Sequence, residues 1–352
     1  MRKFQCFATS APARGTDEQQ SRTLGQPQHA AVATRGRLVN YSRFAARTRS
    51  YQCARILILT FEKGLDRAKG KQAMDARLQR RIQRYGWDLA AVDYESLWHA
   101  QLSEAQEALL AFAAPAVGER ILDIACGTGL VSFEAARAVG PGGQVLGIDL
   151  SERMIDAAER RARNLQLSNC KFSRMDAETL ALPGASFDAA LCALGLMYMP
   201  DPEQALREMY RVLRPGGRVS LAVWGKAANC GWSALFSIVN AEVASEVCPL
   251  FFRLGQQDAL AHACAEAKFE IVGQRRITTT LMFANADDAC DAAFVGGPVA
   301  LAWSRFNAEV RARVRARYLE AIGSWRHGNG YRIPAEFVVA SAIAPMRRIA
   351  AN

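Results

Sequence analysis

The stretch from Glu119 to Leu130, read as Glu-Arg-Ile-Leu-Asp-Ile-Ala-Cys-Gly-Thr-Gly-Leu, constrains the fold of this 352-residue chain more than any other. An apolar run breaks into a loop of small residues, and a helical pattern begins at Leu130. A strand, turn and helix of this kind leave backbone N–H groups unpaired at the helix N-terminus, where a ligand can bind. The glycines let the main chain approach that ligand closely. Many nucleotide-binding folds share such a turn, so the turn alone does not identify the ligand.

Two carboxylates narrow the choice of ligand. The loop is not G-x-G-x-x-G, because Ala125 occupies the first glycine position. Asp123, at the edge of the loop, would repel a dinucleotide pyrophosphate, whereas it favours a ligand with an ammonium or sulfonium group. About twenty residues later, a second predicted strand ends in Asp149, at the position that takes ribose hydroxyls in such folds.

These residues resemble a known family. Residues 123–129 together with Asp149 are similar to motifs I and II of the class I S-adenosylmethionine (SAM) methyltransferases, and best match the ubiquinone/menaquinone-type methyltransferase domains. Residues 187–225, with the turn Arg214-Pro215-Gly216-Gly217, give a second long match. The resemblance implies SAM as cofactor, S-adenosylhomocysteine as product, no metal, and a small-molecule acceptor. Whether the methylated atom is oxygen, nitrogen or carbon stays open.

The alternation of strands and helices over residues 119–224 predicts a doubly wound parallel sheet. The resemblance implies a Rossmann-like, mostly parallel seven-stranded α/β sheet with an antiparallel last strand and a helical insertion. The predicted strands are 120–124, 144–149, 171–175, 187–192, 218–224, 269–282 and 336–343. The predicted helices are 75–85, 94–112, 130–139, 152–167, 203–213, 231–246 and 256–267, with the insertion over 284–334.

Charge divides the chain into two parts. Residues 1–73 carry 14 of the 44 basic and 4 of the 34 acidic residues, which is the whole net charge of +10, and the remainder carries 30 of each. A neutral main domain argues against a nucleic-acid-binding surface. We expect residues 1–73 to be a basic, disordered leader, and residues 74–352 to be the methyltransferase domain. Its cofactor-binding core is expected over about 94–225, an acceptor-side cover over 226–334 and a final strand over 336–344.

The leader has two interpretations. An Arg-rich, acid-poor N-terminus is typical of an organellar transit peptide, but it also fits an over-extended translation start with the functional protein beginning near Met74. Its only apolar run, Ile56 to Leu59, is too short to span a membrane. The nine cysteines are odd in number and lack C-x-x-C spacing, which predicts reduced core residues in a cytoplasmic protein.

The resemblance assigns cofactor contacts residue by residue. Asp123 would act on the methionyl ammonium through the loop, Asp149 would take the ribose, Asp176 would accept from the adenine amino group, and the next backbone N–H would reach the ring. Ala125 is expected to be tolerated in place of glycine if its φ is negative. The full predicted set is Tyr94, Asp123, Ala125, Cys126, Gly127, Thr128, Gly129, Asp149, Leu150, Met154, Asp176 and Ala177.

No residue stands out as a catalytic base. Tyr198 and His99 are the candidates that the resemblance suggests. Tyr94, Trp98 and His99 lie on a helix that caps the cofactor in the family, although Trp98 also fits a core position and His99 a surface position. The loop over 194–200 lacks the Asn/Asp-Pro-Pro-Tyr/Phe tetrapeptide of adenine and amide methyltransferases, which favours a small-molecule acceptor.

The insertion also has two interpretations. Its helix carries one aromatic and aliphatic stripe, which can be core or can line the acceptor pocket, and a set of arginines, which can attract an acidic acceptor or form a solvated face. The stripe is Phe306, Val310, Val314, Tyr318, Ile322 and Trp325, and the arginines are Arg311, Arg313, Arg315 and Arg317.

Two further function classes remain open at this point. A dinucleotide-dependent oxidoreductase of the NAD(P) type can use the same sheet, although Asp123 and the absent G-x-G-x-x-G count against it. A SAM-binding protein without catalysis would share every cofactor residue.

Overall fold

A computed structural model describes residues 75–243, 248 and 250–346. The predicted leader over residues 1–73 lies outside the described residues. The described strands are β1 Arg120–Ile124, β2 Gln144–Asp149, β3 Cys170–Arg174, β4 Phe187–Ala193, β5 Leu213–Trp224, β6 Glu270–Phe283, β7 Arg326–His327 and β8 Gly330–Ile343. The helices are α1 Ala76–Ala90, α2 Tyr94–Ala113, α3 Leu130–Val139, α4 Glu152–Asn164, α5 Pro202–Val212, α6 Ala234–Asn240, α7 Ala259–Glu266, α8 Ala286–Phe294, α9 Ala300–Arg305 and α10 Ala308–Ala321.

The strands form one sheet in the order β3-β2-β1-β4-β5-β8-β6, with the short β7 paired to β8. The first five strands of that order are parallel, and β8 runs antiparallel to both β5 and β6. This arrangement confirms the predicted fold class. The strand order reverses between β1 and β4, so the carboxyl ends of these two strands open a crevice, the usual ligand position in doubly wound sheets.

Local sequence explains where the helices that border this crevice begin. Ser151 caps α4 by accepting the Met154 N–H, and Asp201 caps α5 in the same way through Gln204. Pro202 occupies the first position of α5, where a missing N–H is harmless. Gly129, in the left-handed region at φ 89°, makes the sharp entry into α3.

Several predicted boundaries were wrong. Helix α4 ends at Asn164 instead of residue 167, because Gln166 adopts φ 56° and the Leu167 N–H bonds back to the Ala162 carbonyl. Strand β5 begins at Leu213, since the predicted Arg-Pro-Gly-Gly turn is part of the strand with an irregular pairing to β4. The last strand begins at Gly330, because a turn with Gly328 at φ 60° folds β7 onto it.

The helical patterns after β5 were also too long. The segment predicted over 231–246 forms a 3₁₀ turn followed by α6, and α7 covers only Ala259–Glu266 of the pattern over 256–267. The insertion contains three helices, α8 to α10, where one was expected. The apolar run predicted for its helix is split by an Asn307 cap, which accepts the Val310 N–H and starts α10 after Phe306.

The core lies on both faces of the sheet. Strands β1, β4 and β8 are almost entirely buried, and α2 packs against β5, β8 and β6. Seven cysteines are described and all are buried, which confirms the predicted core positions for these seven: Cys126, Cys170, Cys192, Cys230, Cys248, Cys264 and Cys290. Within the described ranges, no helix is long and apolar enough to cross a lipid bilayer.

Candidate functional site

A cavity opens at the carboxyl ends of β1 to β4. It is lined by eight of the twelve predicted cofactor residues: Tyr94, Ala125, Gly127, Asp149, Leu150, Met154, Asp176 and Ala177. Three more, Asp123, Cys126 and Thr128, line a small adjoining recess behind the β1 loop. The twelfth, Gly129, lines neither cavity but begins α3. The structure therefore brings the predicted residues together at one place.

Asp149 connects the two loops of the cofactor region. One of its carboxylate oxygens accepts the Gly127 N–H at 3.0 Å, and the other accepts the Ser151 N–H at 2.8 Å. Burial raises the pKa of Asp149 to about 6, while the N–H donors oppose that rise and the nearby Asp88 adds to it. The carboxylate thus lies in the cavity with a fixed orientation and spare lone pairs for hydroxyl donors.

Asp123 lies deeper, behind the loop. Its side chain is 1 % exposed and accepts a hydrogen bond from the Ser132 hydroxyl. Burial raises the pKa of this carboxyl to about 7, and the Asp149 charge adds to the rise. Neither Asp123 nor Asp149 forms an ion pair with a basic side chain in the described part of the chain. A buried and a half-buried carboxylate, both without a cationic partner, favour a cationic ligand.

The β1 loop differs from the expectation in one respect. Ala125 has φ 54°, not the negative φ under which its replacement of glycine was expected to be harmless. Leu194, at the end of β4, also lies in the left-handed region at φ 62°. A Cβ on Gly195 would lie 2.3 Å from the Ala125 Cβ, so the two strand ends approach as closely as their side chains permit. The crevice is therefore tightly built at this point.

At the far end of the cavity, Asp176 follows β3. One carboxylate oxygen accepts the Glu178 N–H at 2.9 Å, and the other lies 3.2 Å from Nε of Arg80. Arg80 also contacts the buried Glu178, and together these acidic neighbours raise its pKa against the opposing effect of burial. Asp176 therefore lies where an exocyclic amine can reach its carboxylate. The guanidinium of Arg80 lies beside it, and sequence analysis did not predict Arg80 as a residue of the site.

Helix α1 is the functional element that sequence analysis missed. Arg80, Gln83 and Trp87 on this helix all line the cavity, although only a polar, basic helix was predicted there. The buried positions of α1 are Gln79, Gln83, Gly86 and Ala90. A stripe of small and amide residues with helical spacing, in place of an apolar stripe, was the available signal that this helix covers a polar site.

The other end of the cavity is aromatic. Trp98, Trp224 and Trp232 line it, with ring centroids 4.8 to 6.3 Å apart in pairs. Leu102 and Leu194 extend this apolar wall, and Gly297-Pro298 of the insertion close it. The indole nitrogens of Trp98 and Trp232 are buried without a hydrogen-bond partner in the described residues. Planar, apolar molecules fit such a wall.

The two catalytic candidates lie in different places. Tyr198 lines the cavity and packs edge-on against Trp87, with ring centroids 5.0 Å apart. Burial raises the pKa of Tyr198 well above its ordinary value, so its hydroxyl donates hydrogen bonds and does not act as a base near neutral pH. His99 is exposed and does not line the cavity. His99 therefore takes the surface position that was one of its two interpretations, whereas Tyr94 and Trp98 line the cavity.

The insertion helix shows which of its two interpretations holds. Arg313 pairs with Glu242 at 2.7 Å, Arg317 lies 3.9 Å from the same carboxylate, and Arg315 pairs with Asp287. These arginines therefore form surface ion pairs. The apolar stripe is core: Val314, Tyr318 and Ile322 are buried, and no member of the predicted stripe lines the cavity. In the insertion, only the turn at Gly297-Pro298 does so.

No cluster of three or more His, Cys, Asp or Glu side chains suited to a metal ion is found among the described residues. The donor set fits SAM instead. Asp123 supplies a carboxylate without a cationic partner for the positive charges of SAM, and Asp149 has lone pairs for the ribose hydroxyls. Gly127 offers close main-chain approach at φ 55°, and Asp176 suits the adenine amino group.

Part of the chain is similar to proteins of known family. Residues 116–282 match the family model described as "Methyltransferase domain". The demethylmenaquinone methyltransferase of Lactobacillus johnsonii is 35 % identical over 126 residues, which is 34 % of this chain and 52 % of the relative. That of Listeria welshimeri is 37 % identical over 120 residues, or 34 % of this chain and 51 % of the relative. The chain thus spans about half the length of the curated relatives it matches.

Solved structures share the fold. A Bacillus halodurans protein described as a methyltransferase aligns with a TM-score of 0.50 at 19 % identity, covering 68 % of this chain and 99 % of its own. A chain from the Haloferax volcanii complex of the Trm112 methyltransferase activator with a methyltransferase aligns at 0.51 and 18 % identity, covering 75 % and 97 %. The chain therefore shares the overall fold of these two solved structures.

Proposed function

We propose that this chain, whose residues 116–282 match the "Methyltransferase domain" family model and which is similar to demethylmenaquinone methyltransferases, transfers a methyl group from SAM to a small, largely apolar and planar acceptor. The observation that carries the proposal is that the buried carboxylate of Asp123 and the half-buried carboxylate of Asp149 both lack a cationic partner in the described residues. A ligand with a sulfonium and an ammonium neutralises them, whereas a pyrophosphate would add to their repulsion.

One end of the cavity then binds the cofactor, and the other end binds the acceptor. Asp149 orients the ribose, Asp176 and the Ala177 N–H receive the adenine, and Met154 packs against the ring. The bound cofactor supplies an activated methyl group. Trp98, Trp224 and Trp232 hold the acceptor and exclude water from its reacting atom. Much of the rate enhancement then comes from holding the methyl group and the acceptor atom close together and in the correct orientation.

The class of acceptor is inferred from the residues that line the tryptophan end of the cavity. Tyr94 and Tyr198 both line the cavity, and burial raises the pKa of each, so both stay protonated. A charged acceptor would find no counter-ion there, because Arg80 lies at the adenine end beside Asp176. The relatives named as demethylmenaquinone methyltransferases make demethylmenaquinone, in its reduced form, the first acceptor to test.

The first experiment measures SAM and S-adenosylhomocysteine binding to the full-length protein by calorimetry. We expect micromolar binding by the wild type and a loss of about tenfold or more in Asp123→Asn and in Asp149→Asn, since each removes a charge that faces the cationic ligand. Asp258→Asn, which changes an exposed carboxylate, is the matched control and should bind as the wild type does.

The alternatives give different results in the same assays. Binding of a nicotinamide dinucleotide in place of SAM would reject the proposal in favour of an oxidoreductase. SAM binding without methyl transfer from radiolabelled SAM to reduced demethylmenaquinone or to other apolar phenols and quinols would favour a SAM-binding protein without catalysis. For an active enzyme, we expect Trp232→Ala to raise the KM for the acceptor while leaving SAM affinity unchanged.

A further inference from the structure

Asp88, near the end of α1, forms two hydrogen bonds with the loop that follows β2. Its Oδ1 accepts the hydroxyl proton of Ser151 at 2.6 Å and the backbone N–H of Arg153 at 3.2 Å. Both donors belong to the N-terminal end of α4, where backbone N–H groups lack partners within the helix. A carboxylate is favourable at that end of a helix dipole. Asp88 therefore ties α1 to the start of α4.

Ser151 passes this contact on to the cofactor site. The residue is fully buried, and its hydroxyl oxygen accepts the Met154 N–H at 3.1 Å while its proton goes to Asp88. Its backbone N–H donates to Asp149 at 2.8 Å, and the second oxygen of Asp149 accepts the Gly127 N–H at 3.0 Å. An unbroken hydrogen-bonded path thus joins α1 to the glycine loop.

These hydrogen bonds fix the orientation of the Ser151 hydroxyl, which could otherwise rotate. A serine hydroxyl caps a helix only when a lone pair faces the capped N–H, and its proton then needs another acceptor. Asp88 provides that acceptor, so the Ser151 hydroxyl has one orientation and the first turn of α4 has one position. The Ser151 N–H consequently points at Asp149, whose two oxygens are held for the ribose.

We propose that Asp88 is a positioning residue of the cofactor site, which acts through Ser151 to orient the ribose-binding carboxylate of Asp149. This inference rests on the proposed function, since it presumes that Asp149 takes the ribose of SAM. It also makes α1 part of the cofactor site. At its other end the helix contacts Asp176 and Glu178 through Arg80, so α1 crosses the cavity from the ribose position to the adenine position.

The alternative is that Asp88 only anchors α1 to α4 and does not affect Asp149. The charge of Asp88 distinguishes these two roles. The groups that act electrostatically with Asp149 are Asp88 from α1, Asp123 from β1, Tyr94 from α2, Cys126 from the loop and Cys192 from β4. The negative charge of Asp88 raises the pKa of Asp149. Asparagine at position 88 can still accept both hydrogen bonds but lacks that charge, so it should lower the pKa of Asp149 without moving the helix.

The test measures SAM affinity of the full-length protein by calorimetry for Asp88→Ala, Ser151→Ala, the double variant and Asp88→Asn. We expect about tenfold weaker binding at pH 8 in each alanine variant, from loss of a hydrogen bond to a charged group. The double variant should bind about as weakly as Ser151→Ala alone, because the two residues act in series. Asp88→Asn should bind within about threefold of wild type, and the acid limb of its affinity profile should move to lower pH.

Asp75→Ala is the matched control, because Asp75 caps the opposite end of α1 by accepting the Arg77 N–H and does not line the cavity. We expect it to retain wild-type SAM affinity. Equal weakening by Asp75→Ala and Asp88→Ala would overturn the proposal in favour of helix docking, as would multiplicative effects in the double variant or an unmoved acid limb in Asp88→Asn.

The outcome also separates this inference from the proposed function. A wild-type protein that does not bind SAM would reject both. Loss of SAM binding in Asp149→Asn with wild-type affinity in Asp88→Ala would retain the cofactor site and reject the role of Asp88. Thermal melting of each variant confirms that the affinities are compared between folded proteins.

Discussion

Backbone conformation at single residues shows where the sequence was informative and where it was not. The composition of the β1 loop predicted a ligand turn, and Asp123 and Asp149 indicated its charge. The left-handed conformations of Ala125 and Leu194 had no such signal, because neither residue type favours φ above zero. Both arise from the close approach of two strand ends, which depends on tertiary contacts that a linear pattern does not contain.

Replacing Ala125 with glycine tests this strain directly. We expect Ala125→Gly to raise the free energy of unfolding by roughly 0.5–1 kcal/mol, because the left-handed region costs an alanine about 1–2 kcal/mol and the added chain flexibility offsets part of the gain. Chemical denaturation measures the difference. Ala116→Gly, at an exposed loop position without positive φ, should be neutral or destabilising. A lower stability for Ala125→Gly would show that this loop is not strained.

Asp123 gives a second prediction at this scale. Its pKa is raised from 3.8 to about 7 in the folded protein, so the folded state binds the proton more tightly than the unfolded state does. The ligand-free protein should therefore lose stability as pH rises from about 4 through 7. Asp123→Asn removes this penalty and should be more stable than wild type by roughly 1–3 kcal/mol at pH 8, with the difference vanishing towards pH 4.

Denaturation of the SAM-free protein at several pH values measures that effect, and Asp258→Asn is again the exposed-carboxylate control. A variant less stable than wild type at pH 8 would mean that Asp123 is stabilised by its contact with Ser132 more than it is destabilised by burial.

At the scale of elements, periodicity predicted the strands and helices of the core well. The strands over 120–124 and 144–149 and the helix over 130–139 have the predicted bounds. The region after β5 was harder, because its helices are short and their caps, such as Asn307, divide one apolar pattern into several pieces. The role of α1 was missed for a different reason, since a helix that covers a polar cavity does not carry an apolar stripe.

The turn between α8 and α9 is the part of the insertion that reaches the acceptor end, and Gly296 tests its role. A Cβ at this position would lie 2.8 Å from Leu97 Cδ1 and 3.4 Å from Trp98. We expect Gly296→Ala to displace the turn from the tryptophan wall and raise the KM for the acceptor several-fold, while SAM affinity changes less than twofold. Steady-state kinetics with calorimetry measures both.

Gly323→Ala is the matched control, because no atom lies within 4 Å of the added Cβ and the residue is exposed. It should leave both constants unchanged. A change in SAM affinity without a change in acceptor KM would place the turn of residues 296–298 at the wrong end of the cavity.

For the whole molecule, the sheet order converts scattered sequence positions into one site. Asp123, Asp149 and Asp176 are separated by 26 and 27 residues in the chain, yet parallel pairing of β1, β2 and β3 brings their strand ends to one edge. The sequence predicted this convergence, because carboxyl ends of parallel strands share an edge. It did not predict that the cavity extends to Trp224 at the end of β5 and to Trp232 in the turn that follows.

Binding of a cationic ligand to these shared carboxylates should release protons. Asp149 and Asp123 have pKa values of about 6 and about 7 in the ligand-free protein, and a bound positive charge lowers both. We expect SAM binding to release up to about one proton at pH 6.5 and almost none at pH 8.5. Calorimetry in buffers of different ionisation enthalpy counts these protons, and proton uptake would contradict the placement of the positive charge.

The protonated Tyr198 at the acceptor end has a consequence for how the reaction rate varies between acceptors. The described residues at this end include no side chain that can take a proton from the acceptor. The acceptor must therefore be ionised before methyl transfer, or must react through a lone pair on an atom that need not lose a proton. Across a series of ring-substituted acceptors, turnover should then follow the acidity of the acceptor with a steep Brønsted slope, and exchanging the solvent for deuterium oxide should change it little. The protein aligns two reactants, and the electronic character of the substrate determines how fast they react.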